Sequence, residues 1–251
     1  MSTRVLQALR QHLPELRYEP TAKRVRAELG GETVLDSERA ILLWEPRRVV
    51  PEYAVPDDDV TAELVSSAAE PVESDAPFLH PGIPFLAHTS EGEPLDVRAG
   101  GETREAAAFR LADPDLAGYV LFEFDAFDAW YEEDEPAFSH PRDPFHRVDT
   151  RRSSRHVRVE LDGRLLADST RPTLLFETGL GTRYYLPRED VVADLAPSET
   201  RTGCPYKGAA RYWSVGDEKD IAWTYEHPLP DAVEIAGMIA FYNERVKLSV
   251  D

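Results

Sequence analysis

Cys204 and Lys207 are the residues of this sequence whose types and spacing best fit a reactive site. They lie three positions apart in TRTGCPYKGAARYWSV, residues 200–215, and Cys204 is the only cysteine in the chain. A nearby ammonium group favours the thiolate, which is the nucleophilic form of cysteine. Gly208 follows Lys207, and a glycine lets backbone approach a bound anion closely. The segment predicts a catalytic thiol or an anion contact, with a buried structural cysteine as the alternative.

Two tryptophans near this segment predict an aromatic wall. ARYWSV, residues 210–215, and DIAWTY, residues 220–225, have the composition of two strands joined by a short loop. A hairpin that closes symmetrically places Trp213 directly opposite Trp223 on one face. The indoles are then either part of a core or a surface that stacks on a flat or cationic ligand.

Arg171 and Glu177 are candidates for orienting a ligand. They lie six positions apart in a predicted strand, so alternation places both side chains on one face. The first half of the chain contains equivalents, Arg39 and Glu45, within a similar sequence. This recurrence favours a structural role such as ion pairing with a neighbouring strand, and ligand binding is the alternative.

An internal repeat organises the chain. Residues 23–45 align without a gap on residues 155–177, and the correspondence continues through Tyr53 and Tyr185. It then shifts by one residue and resumes between residues 55–64 and 186–195. A repeat of this length indicates that one structural unit occurs twice.

The two copies differ where the opening segment lies. HTSEG, residues 88–92, aligns with CPYKG, residues 204–208, and Val97 then aligns with Trp213. The first copy therefore lacks the thiol, the lysine and the tryptophan. We expect the C-terminal half to carry the activity.

Alternating strands and glycine-containing turns predict a mainly β protein with two tandem, small, antiparallel β-rich domains and a short N-terminal helix. The expected segments are an N-terminal helix in 1–17, a diverged repeat domain in 18–135, a linker in 136–149 and a repeat domain with the retained motif in 150–251. The linker contains His140, Asp143 and His146, but three prolines make it a poor rigid metal site, so no metal is expected.

Composition excludes several classes of function. A net charge of −19 opposes binding to polyanions, so no nucleic-acid partner is expected. No segment approaches the roughly 20 apolar residues of a membrane helix, and no signal-peptide core is present, so we expect a cytoplasmic protein without a membrane partner. One cysteine fits a reducing compartment. Neither a GxGxxG motif nor a P-loop occurs, and we expect no cofactor.

Several motifs in the second half resemble a known bacterial family. VRVELDGRLLADSTRPTLLFETG, RYYLPREDV, TGCPYKGAARYWSV and DIAWTYEHPLPDAVEIAGMIAFYNERV occur in order and are similar to domain of unknown function 427 (DUF427), here in tandem. The resemblance implies a β-tent-like fold, similar to the cereblon ligand-binding domain and methionine sulfoxide reductase B. The family is also labelled nucleotidyltransferase-like, but this sequence has no Gly-Ser element followed by paired metal-binding aspartates.

The leading functional hypothesis is a small-molecule binding protein. Its C-terminal cavity is expected to be lined by Trp213, Trp223 and Tyr185, while Lys207 and Arg171 orient a polar or anionic, flat ligand, with Glu177 nearby. The alternatives are an enzyme, either a transferase or one that uses Cys204 and Lys207, and an acidic module that binds a basic protein. The oligomeric state is not predicted.

Overall fold

The chain divides into two β-rich units. A computed structural model describes residues 2–251. The units are Met1–Asp143 and Pro144–Asp251, and the boundary between them falls inside the segment predicted as a linker. Antiparallel strands dominate both units, and the one α-helix of the described chain is short, as the sequence predicts. No helix in residues 2–251 combines the length and apolar character needed to span a membrane.

The first unit contains one sheet of seven strands and one of four. The larger sheet has the order β1-β4-β5-β9-β8-β7-β6, and the smaller has the order β11-β10-β2-β3. The elements are α1 (Val5–Gln11), β1 (Arg17–Pro20), β2 (Val25–Leu29), β3 (Glu32–Ser37), β4 (Ile41–Trp44), β5 (Glu52–Pro56), β6 (Glu63–Ser66), β7 (Gly92–Ala99), β8 (Glu102–Leu111), β9 (Tyr119–Phe122), β10 (Ala129–Glu132) and β11 (Glu135–Pro136), with 3₁₀ turns at Asp57–Asp59, Pro114–Leu116 and Phe124–Ala126.

The second unit repeats this arrangement. Its seven-stranded sheet has the order β12-β15-β16-β20-β19-β18-β17, and its three-stranded sheet has the order β14-β13-β21. The elements are β12 (Val148–Arg152), β13 (Val157–Leu161), β14 (Arg164–Ser169), β15 (Thr173–Glu177), β16 (Arg183–Leu186), β17 (Ala196–Cys204), β18 (Gly208–Val215), β19 (Glu218–Tyr225), β20 (Ile239–Phe241) and β21 (Lys247–Val250), with 3₁₀ turns at Arg188–Asp190 and Pro230–Ile235.

The matching strand orders identify β4 with β15, β5 with β16, β8 with β19 and β9 with β20. Ladder register then gives residue equivalences. Leu43 pairs with Glu52 in the first unit, and Leu175 pairs with Arg183 in the second. Because Leu43 and Leu175 are equivalent in the repeat, Glu52 and Arg183 occupy the same position. By the same count Tyr53 corresponds to Tyr184 rather than to Tyr185. The one-residue shift between the two copies of the repeat therefore lies before strands β5 and β16 and not after them.

The large sheet of the second unit presents its two faces to different apolar clusters, as period-two alternation requires. Along β16, Leu186 belongs to the cluster that contains Val157 and Phe241. Its neighbour Tyr185 belongs to the opposite cluster, with Leu175 and Trp223. The second of these faces carries the cavity described below.

Candidate ligand-binding cavity of the second unit

A buried carboxylate lies at the end of strand β15. Lys207 Nζ donates to both carboxylate oxygens of Glu177, at 2.6 Å each. His146 Nε2 lies 3.0 Å from Glu177 Oε1. The side chains of Lys207 and Glu177 are only 10% and 9% exposed, so the ion pair is largely withdrawn from water. Loss of either partner of a buried ion pair leaves the other charge buried without compensation, which is strongly destabilising.

The electrostatics of Glu177 reflect two opposing effects. Burial raises the pKa of the carboxyl group, but the hydrogen bond from His146 and the charge and hydrogen bond of Lys207 lower it by more. The net result is a pKa below the ordinary value of glutamate. Glu177 is therefore an anion at neutral pH, and its charge is matched locally.

A tight turn positions Lys207. The Lys207 N–H donates to the Cys204 carbonyl at 3.2 Å, and the Lys207 carbonyl accepts from the Leu229 N–H at 3.1 Å. Gly208 follows with φ of +96°, and a Cβ there would lie 3.3 Å from the His227 carbonyl oxygen. A glycine is required because the backbone is left-handed and packs closely on the 227–229 segment.

The Lys207–Glu177 pair forms one wall of a cavity of about 160 Å³. Most of the other walls are aromatic, and they come from strands β16, β18 and β19 and from the residue that follows β20. The lining residues are Leu175, Glu177, Arg183, Tyr185, Lys207, Tyr212, Trp223, Tyr225 and Tyr242.

The aromatic walls are held together by a hydrogen bond and ring contacts. Trp223 Nε1 donates to the Tyr185 hydroxyl oxygen at 3.0 Å, and the two rings meet edge to face with centroids 6.3 Å apart. Tyr242 lies 4.7 Å from Trp223 between centroids. The Tyr242 hydroxyl is 3.5 Å from that of Tyr212, which is also 3.1 Å from Thr202 Oγ1. These contacts hold the walls in place.

Arg183 brings a second cation to the cavity. Its guanidinium carbon lies 5.7 Å from the centroid of Trp223 and 6.0 Å from that of Tyr242, which are cation–π distances. Its Nη1 donates to Glu244 Oε2 at 2.8 Å. Arg183 is thus stacked on the aromatic wall while its charge is shared with a carboxylate outside the lining.

Three phenols of the cavity, those of Tyr185, Tyr225 and Tyr242, are neutral at physiological pH. Burial is the main cause of raised pKa values for Tyr185 and Tyr225. Burial, followed by the hydrogen bond with Tyr212, raises the pKa of Tyr242 to about 12. Neutral phenols keep their O–H groups, so the cavity offers hydrogen-bond donors as well as aromatic surface.

Four of the residues predicted from sequence line this one cavity: Glu177, Tyr185, Lys207 and Trp223. Their side chains come from three strands and one turn. Trp213 does not join them. It packs against the cluster on the opposite face of the sheet, which contains Val215 and Ile221.

The expected pairing of Trp213 with Trp223 is wrong by one residue. Trp213 pairs with Ala222, and Tyr212 pairs with Trp223. The hairpin closes at a two-residue turn, Gly216–Asp217, with Val215 opposite Glu218. An irregularity follows, in which Asp220 has φ of +53°. A slip of one residue turns a side chain to the other face of the sheet.

Arg171 lies outside the cavity lining and does not share a strand with Glu177. Strand β15 begins at Thr173, so alternation does not extend back to Arg171. The Arg171 guanidinium instead binds Asp190 Oδ1 and Glu189 Oε1, at 2.9 Å each. Arg39 makes the matching ion pair with Asp59 in the first unit. The structure therefore favours the structural interpretation of this arginine.

Cys204 is half-buried at the end of strand β17, opposite Gly208. It is close enough to Tyr185 and Tyr225 to contribute to their raised pKa values, but it does not line the cavity. Its predicted role as a nucleophile stays a prediction.

The sequence analysis did not identify four polar lining residues, Arg183, Tyr212, Tyr225 and Tyr242, and it considered His146 only as a metal ligand. Arg183 had a usable signal, because it lies two positions from Tyr185 on one strand and must share its face. Tyr212 was not identified because the predicted register placed Trp213, and not Tyr212, opposite Trp223. Nothing in the sequence indicates that His146 contacts Glu177, because it precedes strand β12 in a proline-rich segment.

The first unit keeps a buried carboxylate at the equivalent position. Glu45 Oε2 lies 2.9 Å from His88 Nδ1 and 3.3 Å from Arg48 Nε. Glu45 Oε1 accepts from the N–H groups of Thr89 and Ser90 at 3.0 Å. A histidine and a cation thus accompany the carboxylate in both copies, although they come from different positions in the sequence.

Comparison with known proteins adds a family match. The model of a family described as a domain of unknown function (DUF427) matches residues 17–75 and 149–251. These segments fall in the first and second units, in agreement with the internal repeat. No curated protein matches the chain.

Proposed function

The chain belongs to the family described as a domain of unknown function (DUF427), and we propose that its second unit binds a small planar molecule that carries an anionic group. The observation that carries the proposal is a single cavity whose walls combine aromatic rings with two cations, Arg183 and Lys207. Rings supply stacking surface, and the cations and phenol hydroxyls supply directed polar contacts.

The size of the cavity limits the ligand. Its volume is about 160 Å³, whereas sites for drug-sized ligands span about 300–1,000 Å³. An apolar cavity of about 150 Å³ accommodates benzene. A ligand with one ring and a small substituent therefore fits, and a nucleotide is too large to be enclosed.

The charges of the walls favour an anion. Glu177 is the one carboxylate among the lining residues, and Lys207 neutralises it. Arg183 adds a further positive charge, and its partner Glu244 lies outside the lining. A ligand carboxylate or phenolate that approaches Arg183 competes only with an exposed ion pair, since Glu244 has a side chain that is 64% exposed.

Binding of benzoate provides the test, measured by isothermal titration calorimetry on the full chain. The Arg183→Met variant removes the lining cation that does not pair with Glu177. It is expected to weaken benzoate binding by about tenfold, because one charge-assisted hydrogen bond to the ligand is lost. Arg171→Met is the matched control, because Arg171 lies outside the lining and its loss is expected to leave the affinity unchanged.

The neutral analogue benzamide separates charge from shape and is expected to bind more weakly than benzoate. Equal affinity of wild type and Arg183→Met for benzoate contradicts an anion site at this cavity. A wild-type protein that binds no single-ring acid in a panel of benzoate, hydroxybenzoates and nicotinate contradicts the proposal as a whole.

A further inference from the structure

The first unit has a cavity at the place where the second unit has its aromatic cavity. Glu52 occupies the ladder position of Arg183, since their partners Leu43 and Leu175 are equivalent. This cavity of about 240 Å³ is lined by Glu52 and by the proline-rich segment Pro81–Phe85, among others. The duplicated scaffold therefore opens at the same position in both copies.

The equivalence extends to the next strand. Val55 pairs with Val120 in the first unit, and Leu186 pairs with Ile239 in the second. Counting forward three residues from Val120 and Ile239 makes Glu123 the counterpart of Tyr242.

The walls of the first cavity are acidic. Glu52, Glu123 and Asp125 all line it. An adjoining cavity of about 340 Å³ shares Glu123 and adds Glu70 and Glu105. Where the second unit presents a guanidinium and a phenol, the first presents carboxyl groups, so an acidic residue takes the place of a basic one at this position.

The carboxyl group of Glu52 lacks a full set of partners. Its Oε2 is buried and accepts no hydrogen bond. Burial raises the pKa of Glu52 to about 8, with a further contribution from the repulsion of Glu123 and Asp125, although the nearby charge of Arg48 acts in the opposite direction. Burial followed by repulsion from Asp125 also raises the pKa of Glu123. A carboxyl oxygen without a donor in an acidic cavity is a site that a cation would complete.

Arg48 lines the cavity but does not fill this role. Its Nε lies 3.3 Å from Glu45 Oε2, and its Nη2 donates to the Phe85 carbonyl at 2.7 Å. Its charge is thus committed to Glu45. The three acidic residues of the cavity, Glu52, Glu123 and Asp125, are also not arranged to hold a metal ion, since no such cluster occurs in residues 2–251.

We propose that the cavity of the first unit binds an organic cation, an ammonium or guanidinium group, with Glu52 as its main acceptor. This inference goes beyond the function proposed for the second unit and does not depend on it. The physical basis of cation binding is a charge-assisted hydrogen bond to Glu52 Oε2, which has no other donor.

The test compares three ligands of one shape by isothermal titration calorimetry of the full chain at pH 7.5: butylammonium, butanol and butyrate. Butylammonium is expected to bind at least about tenfold more tightly than butanol, the ratio that one charge-assisted hydrogen bond supplies. Butyrate is expected to bind more weakly than either at this site. Because Glu52 releases a proton when a cation binds, the enthalpy is also expected to change with the ionisation enthalpy of the buffer.

Glu52→Gln keeps the size of the side chain and removes its ability to ionise. It is expected to weaken butylammonium binding by about tenfold, whereas Glu38→Gln, at an exposed residue outside the cavity, is expected to leave it unchanged. Thermal unfolding of both variants checks that they are folded. Butylammonium affinity equal in wild type and folded Glu52→Gln, or equal to that of butanol, overturns the inference; neither result bears on benzoate binding to the second unit.

Discussion

Replacing Lys207→Met tests whether the buried ion pair stabilises the second unit. Both Glu177 oxygens lie 2.6 Å from Lys207 Nζ, and removing one partner of a buried pair costs about 3–5 kcal/mol. His146 remains beside Glu177 Oε1, so we expect the lower end, about 3 kcal/mol. At about 4 °C per kcal/mol for a unit of this size, the melting temperature falls by about 12 °C. Differential scanning calorimetry at pH 7 measures it.

The pH dependence of this loss identifies its cause. In the wild type the pKa of Glu177 lies below its ordinary value, so its contribution to stability is present above about pH 4.3 and is lost as the pH falls through the folded pKa. Without Lys207, burial dominates and the pKa of Glu177 rises. A protonated Glu177 needs no cation, so the difference between the variant and the wild type is expected to shrink on acidification.

Lys247→Met is the matched control for Lys207→Met. Lys247 Nζ lies 2.7 Å from Glu160 Oε2, but the Lys247 side chain is 74% exposed. An exposed pair contributes about 0–1 kcal/mol. If Lys207→Met costs no more than Lys247→Met, or if its cost is independent of pH, the argument from burial is wrong. The double variant Lys207→Met with Glu177→Leu is expected to recover part of the loss, because no charge is then left buried.

Two further predictions concern the backbone and the first unit. Gly208→Ala is expected to destabilise the protein by about 1–3 kcal/mol through its left-handed backbone, and by more than Gly163→Ala, because Gly208 alone packs on the His227 carbonyl; urea unfolding compares the two. Because the pKa of Glu52 is raised to about 8, wild-type stability falls as the pH rises from about 4.3 to about 8. The Glu52→Gln variant has no carboxyl group at this position and lacks this pH dependence. The stability of the variant relative to the wild type, measured by thermal unfolding, is therefore expected to increase from pH 4 to pH 9. A difference in stability that is constant with pH contradicts the raised pKa of Glu52.

The duplicated scaffold explains how one fold carries two different cavities. Position along a ladder decides where a side chain lies, and the residue type decides what that place can bind. Arg183 and Glu52 illustrate this, since they share a position and differ in charge. A duplication therefore allows the charge of one cavity to change without a change in the fold.

The sequence by itself determined the mainly β fold class, the two copies and much of the cavity. These features depend on local patterns, namely alternation and turn residues, and on similarity between segments of one chain. Glu177, Tyr185, Lys207 and Trp223 were all identified as candidates, because aromatic and charged residues concentrate in the copy that keeps the motif.

Only the tertiary structure decided which face of the sheet each candidate occupies. A two-residue turn and an irregularity at Asp220 put Trp213 on the opposite face from Trp223, and a pattern of period two cannot locate such a slip. His146 reaches Glu177 from a segment 31 positions away, a contact that no local pattern encodes. The exchange of a basic residue, Arg183, for an acidic one, Glu52, is likewise visible only from strand register, because ladder pairing and not sequence alignment brings equivalent residues to the same place.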